Sequence, residues 1–208
     1  MQGVVDPTAF DPGVGFADPV FQSQAAFRTL LAALSEPGTI HALEGAVTPP
    51  AGFAAATALS LLTLADYETP LWLDPARREG AAGHWARFHC AVPFAASPAE
   101  AVFAVLDGAA AGPKLAAFNG GSDLFPDTST TLIIECAAFE GGEAVTLSGP
   151  GIETTRTIEP AGLRAGFWDE VAANNALYPL GVDMLLVAGH RIMGLPRSTL
   201  VMRDGGEG

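Results

Sequence analysis

The stretch Phe27-Arg28-Thr29-Leu30-Leu31-Ala32-Ala33-Leu34-Ser35-Glu36-Pro37-Gly38 constrains the fold most, because it is a helix that carries its own stop. Phe27, Leu30, Leu31 and Leu34 recur at i, i+3, i+4 and i+7, which predicts an amphipathic helix over residues 21–36 with these four on its inward face. Pro37 lacks an N–H and disfavours helical angles at Glu36. Gly38 then frees the backbone for a sharp turn into Thr39-Ile40-His41-Ala42-Leu43, a predicted strand. A helix ended this definitely fixes the direction of the element that follows it.

Downstream, helical and extended runs alternate. Residues 53–65 predict a helix whose leucines, Leu59, Leu61, Leu62 and Leu64, surround much of its circumference, so it should be buried on more than one side. Leu71-Trp72-Leu73 reads as a short core strand, residues 77–89 as a helix interrupted by Gly80 and Gly83, and residues 102–106 as a strand by their β-branched and aromatic content. Pro113 can open a short helix through Phe118. Residues 130–136 and 182–188 are strands, the latter with residues 191–195 as a hairpin partner around Gly189-His190. Gly141-Gly142 signals a turn that would bring residues 144–148 back as the antiparallel mate of 130–136. Leu163, Phe167 and Val171 stripe a helix over residues 163–177, which Pro179 ends. Early alternation and late hairpins predict a layered α/β domain with a mixed sheet. The domain should span residues 20–202, between a flexible, proline-bearing lead-in (1–19) and a disordered acidic tail (203–208).

Composition narrows the function. Hydrophobic residues are 49% of the 208 and charged residues 16%, enough for a large core, and no apolar run is long enough to span a membrane. The first residues lack the basic region and apolar core of a signal peptide, so a cytoplasmic protein is expected. A net charge of −13 argues against nucleic acid as a partner, since phosphates need a dense positive surface. Low charge density leaves neutral, apolar surface of the kind that ends up against another subunit. Cys90 and Cys136 read as buried small apolar groups rather than a disulfide.

Few residues offer chemistry. Ser148-Gly149-Pro150-Gly151 follows a strand but has no phosphate-binding lysine, and Pro150 removes a donor, so a tight turn is the better reading. His84, Arg87, His89 and Cys90 form the densest titratable cluster, without the spacing of a zinc site. Pro196-Arg197-Ser198-Thr199 puts a guanidinium beside two hydroxyls, an oxyanion site by chemistry. In so acidic a chain the arginine is more simply paired with a carboxylate, and Asp183, just inside an apolar strand, needs such a partner. Arg87, His89, Arg197, Ser198 and Thr199 are thus the candidate ligand-binding residues, with no metal and no catalytic residue assigned. Lys114 is the sole lysine, and its surface-like setting equips the chain poorly for a pyridoxal phosphate Schiff base, so no cofactor is expected.

An ordered set of segments gives a resemblance. These are residues 27–38, Leu59-Ser60-Leu61-Leu62-Thr63-Leu64-Ala65-Asp66, Thr69-Pro70-Leu71-Trp72-Leu73, Arg87-Phe88-His89, Thr131-Leu132-Ile133, Leu147-Ser148-Gly149-Pro150-Gly151-Ile152, Pro179-Leu180-Gly181-Val182-Asp183 and Pro196-Arg197-Ser198-Thr199. Together they resemble the PhnH family, the H subunit of the bacterial carbon–phosphorus lyase system. The resemblance implies a three-layer α/β sandwich like that of the pyridoxal phosphate-dependent transferases, without the cofactor. It also implies a homodimer in isolation. In the cell it implies a subunit, working with other carbon–phosphorus lyase subunits, of the complex that forms ribose 1-methylphosphonate 5-triphosphate from ATP and methylphosphonate. The rival expectation is a stand-alone enzyme or binding module that holds a phosphorylated small molecule through Arg87 and Arg197.

Overall fold

The computed structural model describes residues 13–203. In chain order its elements are α1 (Pro19–Ser35), β1 (Ile40–Ala42), α2 (Ala55–Leu64), β2 (Leu71–Leu73), α3 (Pro75–Glu79), α4 (Ala81–Cys90), β3 (Phe103–Asp107), β4 (Thr131–Glu135), β5 (Val145–Ser148), β6 (Arg156–Ile158), α5 (Phe167–Asn175), β7 (Asp183–Ala188), β8 (Arg191–Leu195) and β9 (Leu200–Arg203). Six strands form a mixed sheet in the order β1-β8-β7-β4-β3-β2, and β6-β5-β9 form a second, smaller sheet. Strands β2, β3, β4 and β7 run parallel, while β7–β8 and β8–β1 are antiparallel. The chain is therefore α/β with a mixed sheet, and the hairpin around Gly189-His190 forms as read from sequence.

Side-chain alternation sorts the large sheet onto two cores. Val105, Ile133, Leu185, Val187 and Ile192 face a cluster built with α1, α2 and α4. Leu106, Leu132, Ile134, Met184, Leu186 and Leu195 face a second cluster, closed by Phe167, Trp168 and Val171 of α5 and by Val145 and Leu147 of β5. Helix α2 is wrapped as its composition predicts: every residue from Ala56 to Leu61 is buried. The described part of the lead-in lies on the body, with Val14 O accepting from Thr48 N and Phe16 packed on the first core. Residues 1–12 of the expected lead-in and 204–208 of the expected tail lie outside the described residues.

Four expectations need correcting. Helix α1 buries Ala26, Leu30 and Ala33, while Phe27 and Leu31 are exposed, so its inward face is made of smaller residues than the leucine spacing suggested. Residues 77–89 are not one helix: Gly80 closes α3 and opens α4, and a Cβ at Gly83 would overlap the Arg78 carbonyl in that tight junction. Residues 144–148 do not return to β4, because β3 and β7 already occupy both of its edges; β5 pairs instead with β6 and β9. Helix α5 begins at Phe167 after the left-handed Gly166, which leaves Leu163 in the approach rather than on the helix.

The small inward face of α1 has a consequence on β8. Gly38 N donates to Gly194 O at 3.1 Å, and a Cβ on Gly194 would overlap the Ala33 carbonyl, so the helix rests directly on strand backbone. Gly194→Ala should lower stability by about 1–3 kcal/mol, the usual cost of overpacking, and urea unfolding with an unchanged m-value would register it. A Gly194→Ala variant as stable as the parent would mean that α1 can lift off β8 without penalty.

Candidate functional site

The apolar runs of the three neighbouring parallel strands each finish on a carboxylate: Asp74 follows β2, Asp107 ends β3 and Glu135 ends β4. In open α/β sheets this carboxyl edge is where ligands bind. Glu135 is the hub. Its Oε1 accepts from Ala54 N at 2.7 Å and Thr57 Oγ1 at 2.6 Å, and its Oε2 accepts from Arg77 Nη2 at 2.7 Å. Helix α2 has no side-chain cap of its own, so a strand-borne carboxylate takes that place, at the end where the helix dipole favours negative charge. Arg77 acts as a brace: Nε donates to Gly52 O at 3.0 Å and Nη1 to Asp74 Oδ2 at 3.4 Å. Asp74 in turn caps α3 by accepting from Arg77 N.

Beside this brace lies a cavity of about 410 Å³ whose lining includes Trp72, Asp74, Arg77, Asp107, Gly112 and Arg164. Arg164 Nη2 donates to Glu170 Oε2 at 2.8 Å, and the same carboxylate oxygen accepts from Leu115 N at 2.9 Å. Asp107 Oδ1 accepts from Ala109 N and Ala110 N, which folds the glycine- and alanine-rich loop after β3 over one side. None of these residues was singled out from sequence. The available signal was the repeated ending of an apolar strand on an acid; Arg164 carried no such mark.

The residues that were singled out fall into two groups that share no cavity. Arg197 is enclosed: its backbone N and Nε donate to Asp183 Oδ1 at 2.9 and 3.1 Å, Nη2 to Asp183 Oδ2 and to Ser129 Oγ, and Nη1 to Pro126 O at 2.7 Å. The carboxylate partner foreseen for Asp183 and for an arginine is thus one pair, which ties β7 to the turn after β8. Ser198 shares a shallow surface cavity with Arg197, whereas Thr199 is buried beneath, its Oγ1 without a hydrogen-bond partner. Arg87 and His89 lie on α4 instead. The Arg87 guanidinium sits 4.5 Å from the Phe94 ring centroid. His89 packs 4.8 Å from Trp85 and lines a separate cavity with Gly15, Phe16 and Leu62. The segment Ser148 to Ile152 is a turn closed by Ile152 N to Gly149 O, with Gly149 and Gly151 at positive φ.

Among the described residues no three His, Cys, Asp or Glu side chains converge as a metal site, and no helix is long and apolar enough to cross a membrane. The two cysteines are unpaired and belong to opposite faces of the sheet, Cys90 in the first core and Cys136 against the second. Burial pushes the Cys90 thiol up to about 12 and the Cys136 thiol up to about 11.

Fold and site together define an α/β protein whose parallel strands open onto a braced cavity of mixed apolar and charged lining. Residues 14–202 match the family model described as bacterial phosphonate metabolism protein (PhnH), and the chain belongs to that family. It is 40% identical over 189 residues to the alpha-D-ribose 1-methylphosphonate 5-triphosphate synthase subunit PhnH of Rhizobium meliloti (strain 1021), covering 91% of this chain and 94% of that one. It is also 31% identical over 188 residues to a putative C-P lyase subunit protein, HtxG, of Stutzerimonas stutzeri, with 88% of each chain covered.

Two measurements probe the brace and the cores. Glu135→Ala removes the cap of α2 and leaves Arg77 without its main carboxylate in a mostly buried setting; a loss of about 2–4 kcal/mol in chemical unfolding is expected, against less than about 1 kcal/mol for an exposed pair. With both thiols raised far above 8 by burial, thiolate is scarce in the folded state. Iodoacetamide at pH 8 should leave the native protein unmodified and label both cysteines once urea unfolds it; rapid native labelling would show that the burial is not maintained in solution.

Proposed function

We propose that this chain is the H subunit of a carbon–phosphorus lyase complex and acts in organophosphonate catabolism by assembly rather than by catalysis of its own. Within that complex it would contribute to forming ribose 1-methylphosphonate 5-triphosphate from ATP and methylphosphonate. The observation that carries the reading is the near end-to-end match to a subunit named for that synthase, 94% of which is covered. The cytoplasm is the compartment that suits two unpaired cysteines.

What supports assembly is the outer side of α1. Val20, Phe27 and Leu31, at i, i+7 and i+11, are 73, 49 and 56% exposed. The helix contains no acid and a single base, Arg28. In a chain of net charge −13, an acid-free apolar helix face is where a further acidic chain could approach at least electrostatic cost. In isolation the occupant we assign to it is a second copy, giving a homodimer. Arg197, already engaged by Asp183, Ser129 and Pro126, reads here as part of the frame.

The fold reading that accompanies this is kinship with the pyridoxal phosphate-dependent transferases, the three-layer build kept without the cofactor. Lys114 supports it: the sole lysine is exposed on a groove beside α5 rather than in the cavity at the strand ends.

The test is co-expression with the other subunits. Wild-type chain should be captured with them and, alone, should elute at twice its 21.3 kDa mass and turn over no ATP with methylphosphonate. Phe27→Asp with Leu31→Asp should elute at the single-chain mass with an unchanged melting temperature. Persistence of the dimer in that variant would refute the α1 assignment; failure of the wild-type chain to join any subunit would refute the functional reading itself.

A further inference from the structure

Five arginines of this chain are matched to carboxylates, and Arg156 donates to the carbonyls of Glu36 and Pro37. Arg78 and Arg87 are not so matched. Their guanidinium carbons lie 5.3 and 4.5 Å from the centroid of one and the same ring, that of Phe94. Among the described residues Arg87 makes no side-chain hydrogen bond and no ion pair, and the Arg78 side chain donates only to Ala95 O, at 3.4 Å. The acids nearest in sequence do not compensate. Glu100 turns its carboxylate back onto Ala96 N and Ser97 Oγ, and Glu79 pairs with neither arginine. Helix α4 supplies no acid either, since its ten residues include no Asp or Glu.

A ring face attracts a guanidinium but offers no lone pair to its N–H groups. Stacking therefore restrains each fork and leaves its donors open, the condition in which a carboxylate is met by two parallel hydrogen bonds. The ring itself is held. Phe94 packs on the first core, and its segment adds to the outer edge of β2, with Leu71 N donating to Pro93 O at 2.9 Å and Ala95 N to Leu71 O at 3.0 Å. Phe88, next to Arg87 on the outward side of α4, is 64% exposed. Arginine and aromatic side chains together are the composition of interface centres. Charge and openness then select the occupant. In a chain of net charge −13, two unmatched guanidiniums beside an acid-free helix are where an anion is drawn. Both arginines are exposed on an open surface, where a small oxyanion finds no enclosure and no use for the rings. A polypeptide carrying a carboxylate beside an apolar side chain uses both.

We propose that the outer side of α4, with Arg78, Arg87, Phe88 and Phe94, docks an acidic segment of a partner subunit. An aspartate or glutamate of that segment accepts from the two guanidiniums, and an apolar neighbour packs on the rings. This contact presupposes the subunit role and is separate from the dimer face on α1.

Co-expression of the full chain with the other carbon–phosphorus lyase subunits tests it, with their capture measured at low and at high salt. Arg78→Glu with Arg87→Glu should lower capture about tenfold or more at low salt, and capture by the parent should fall as salt rises. Both side chains are exposed, so that variant should keep the parent's melting temperature and dimer mass. Phe88→Asp, a second variant at an exposed position, should also reduce capture without unfolding. Equal capture by the parent and the charge-reversed chain overturns the proposal and leaves the subunit role intact, whereas a wild-type chain that joins no subunit ends both. Release of the subunits by nuclease, or by inorganic phosphate beyond the effect of chloride at equal ionic strength, would place a nucleic acid or a small oxyanion at the arginines and would overturn it as well.

Discussion

The carboxylate of Glu135 is the contact on which the arrangement of layers depends. It stands at the end of β4, a strand with neighbours on both edges, and it holds the first turn of α2 with one oxygen and Arg77 with the other. One side chain thereby fixes a helix of the first face and the α3 segment to the middle of the sheet. Nothing local to α2 could do this, since Ala54 offers no capping oxygen. The interaction is strong because all three donors converge on one mostly buried anion, 16% exposed, whose desolvation they offset together.

The same matching of charges runs through the molecule. Arg197 is matched to Asp183, Arg191 to Glu140, and Arg203 to Glu143 and Asp169. Where the pair is exposed, its effect is on titration rather than on packing: the hydrogen bond from Arg191 holds the Glu140 carboxyl below its ordinary value. Such a group stabilises the fold above the normal carboxylate range and loses that contribution as pH falls through its lowered value. Five of the ten bases, Arg77 and Arg164 among them, are held in such pairs.

Much of the fold was legible where local pattern and tertiary need agree. Residues 130–136 and 182–188 are apolar on both faces because both faces are covered, and Gly189-His190 sits where β7 turns into β8. The stop at Pro37-Gly38 was readable because it is a backbone property. What was not legible depends on partners distant in sequence. The pairing of β5 could not be inferred from the Gly141-Gly142 turn, since that turn does not say that β4 is already flanked. The orientation of α1 could not be inferred from its leucines, because Gly194 on β8 selects the alanine side. The site was missed for the same reason: Asp74, Asp107 and Glu135 become neighbours only when three strands line up.

Helix α1 and β1 find their seat on β8, where Ile40 faces Met193 and His41 faces Ile192. On a ribosome the early helix is therefore exposed long before the surface that will receive it has been made. During that interval both its sides are bare, the alanine side that will later be buried and the Val20, Phe27 and Leu31 side that will not. Pairings so far apart along the chain slow folding through the entropy of closing the loop between them. The early helix is thus the segment for which a chaperone, or a subunit already present, has the longest opportunity to bind before the fold is complete.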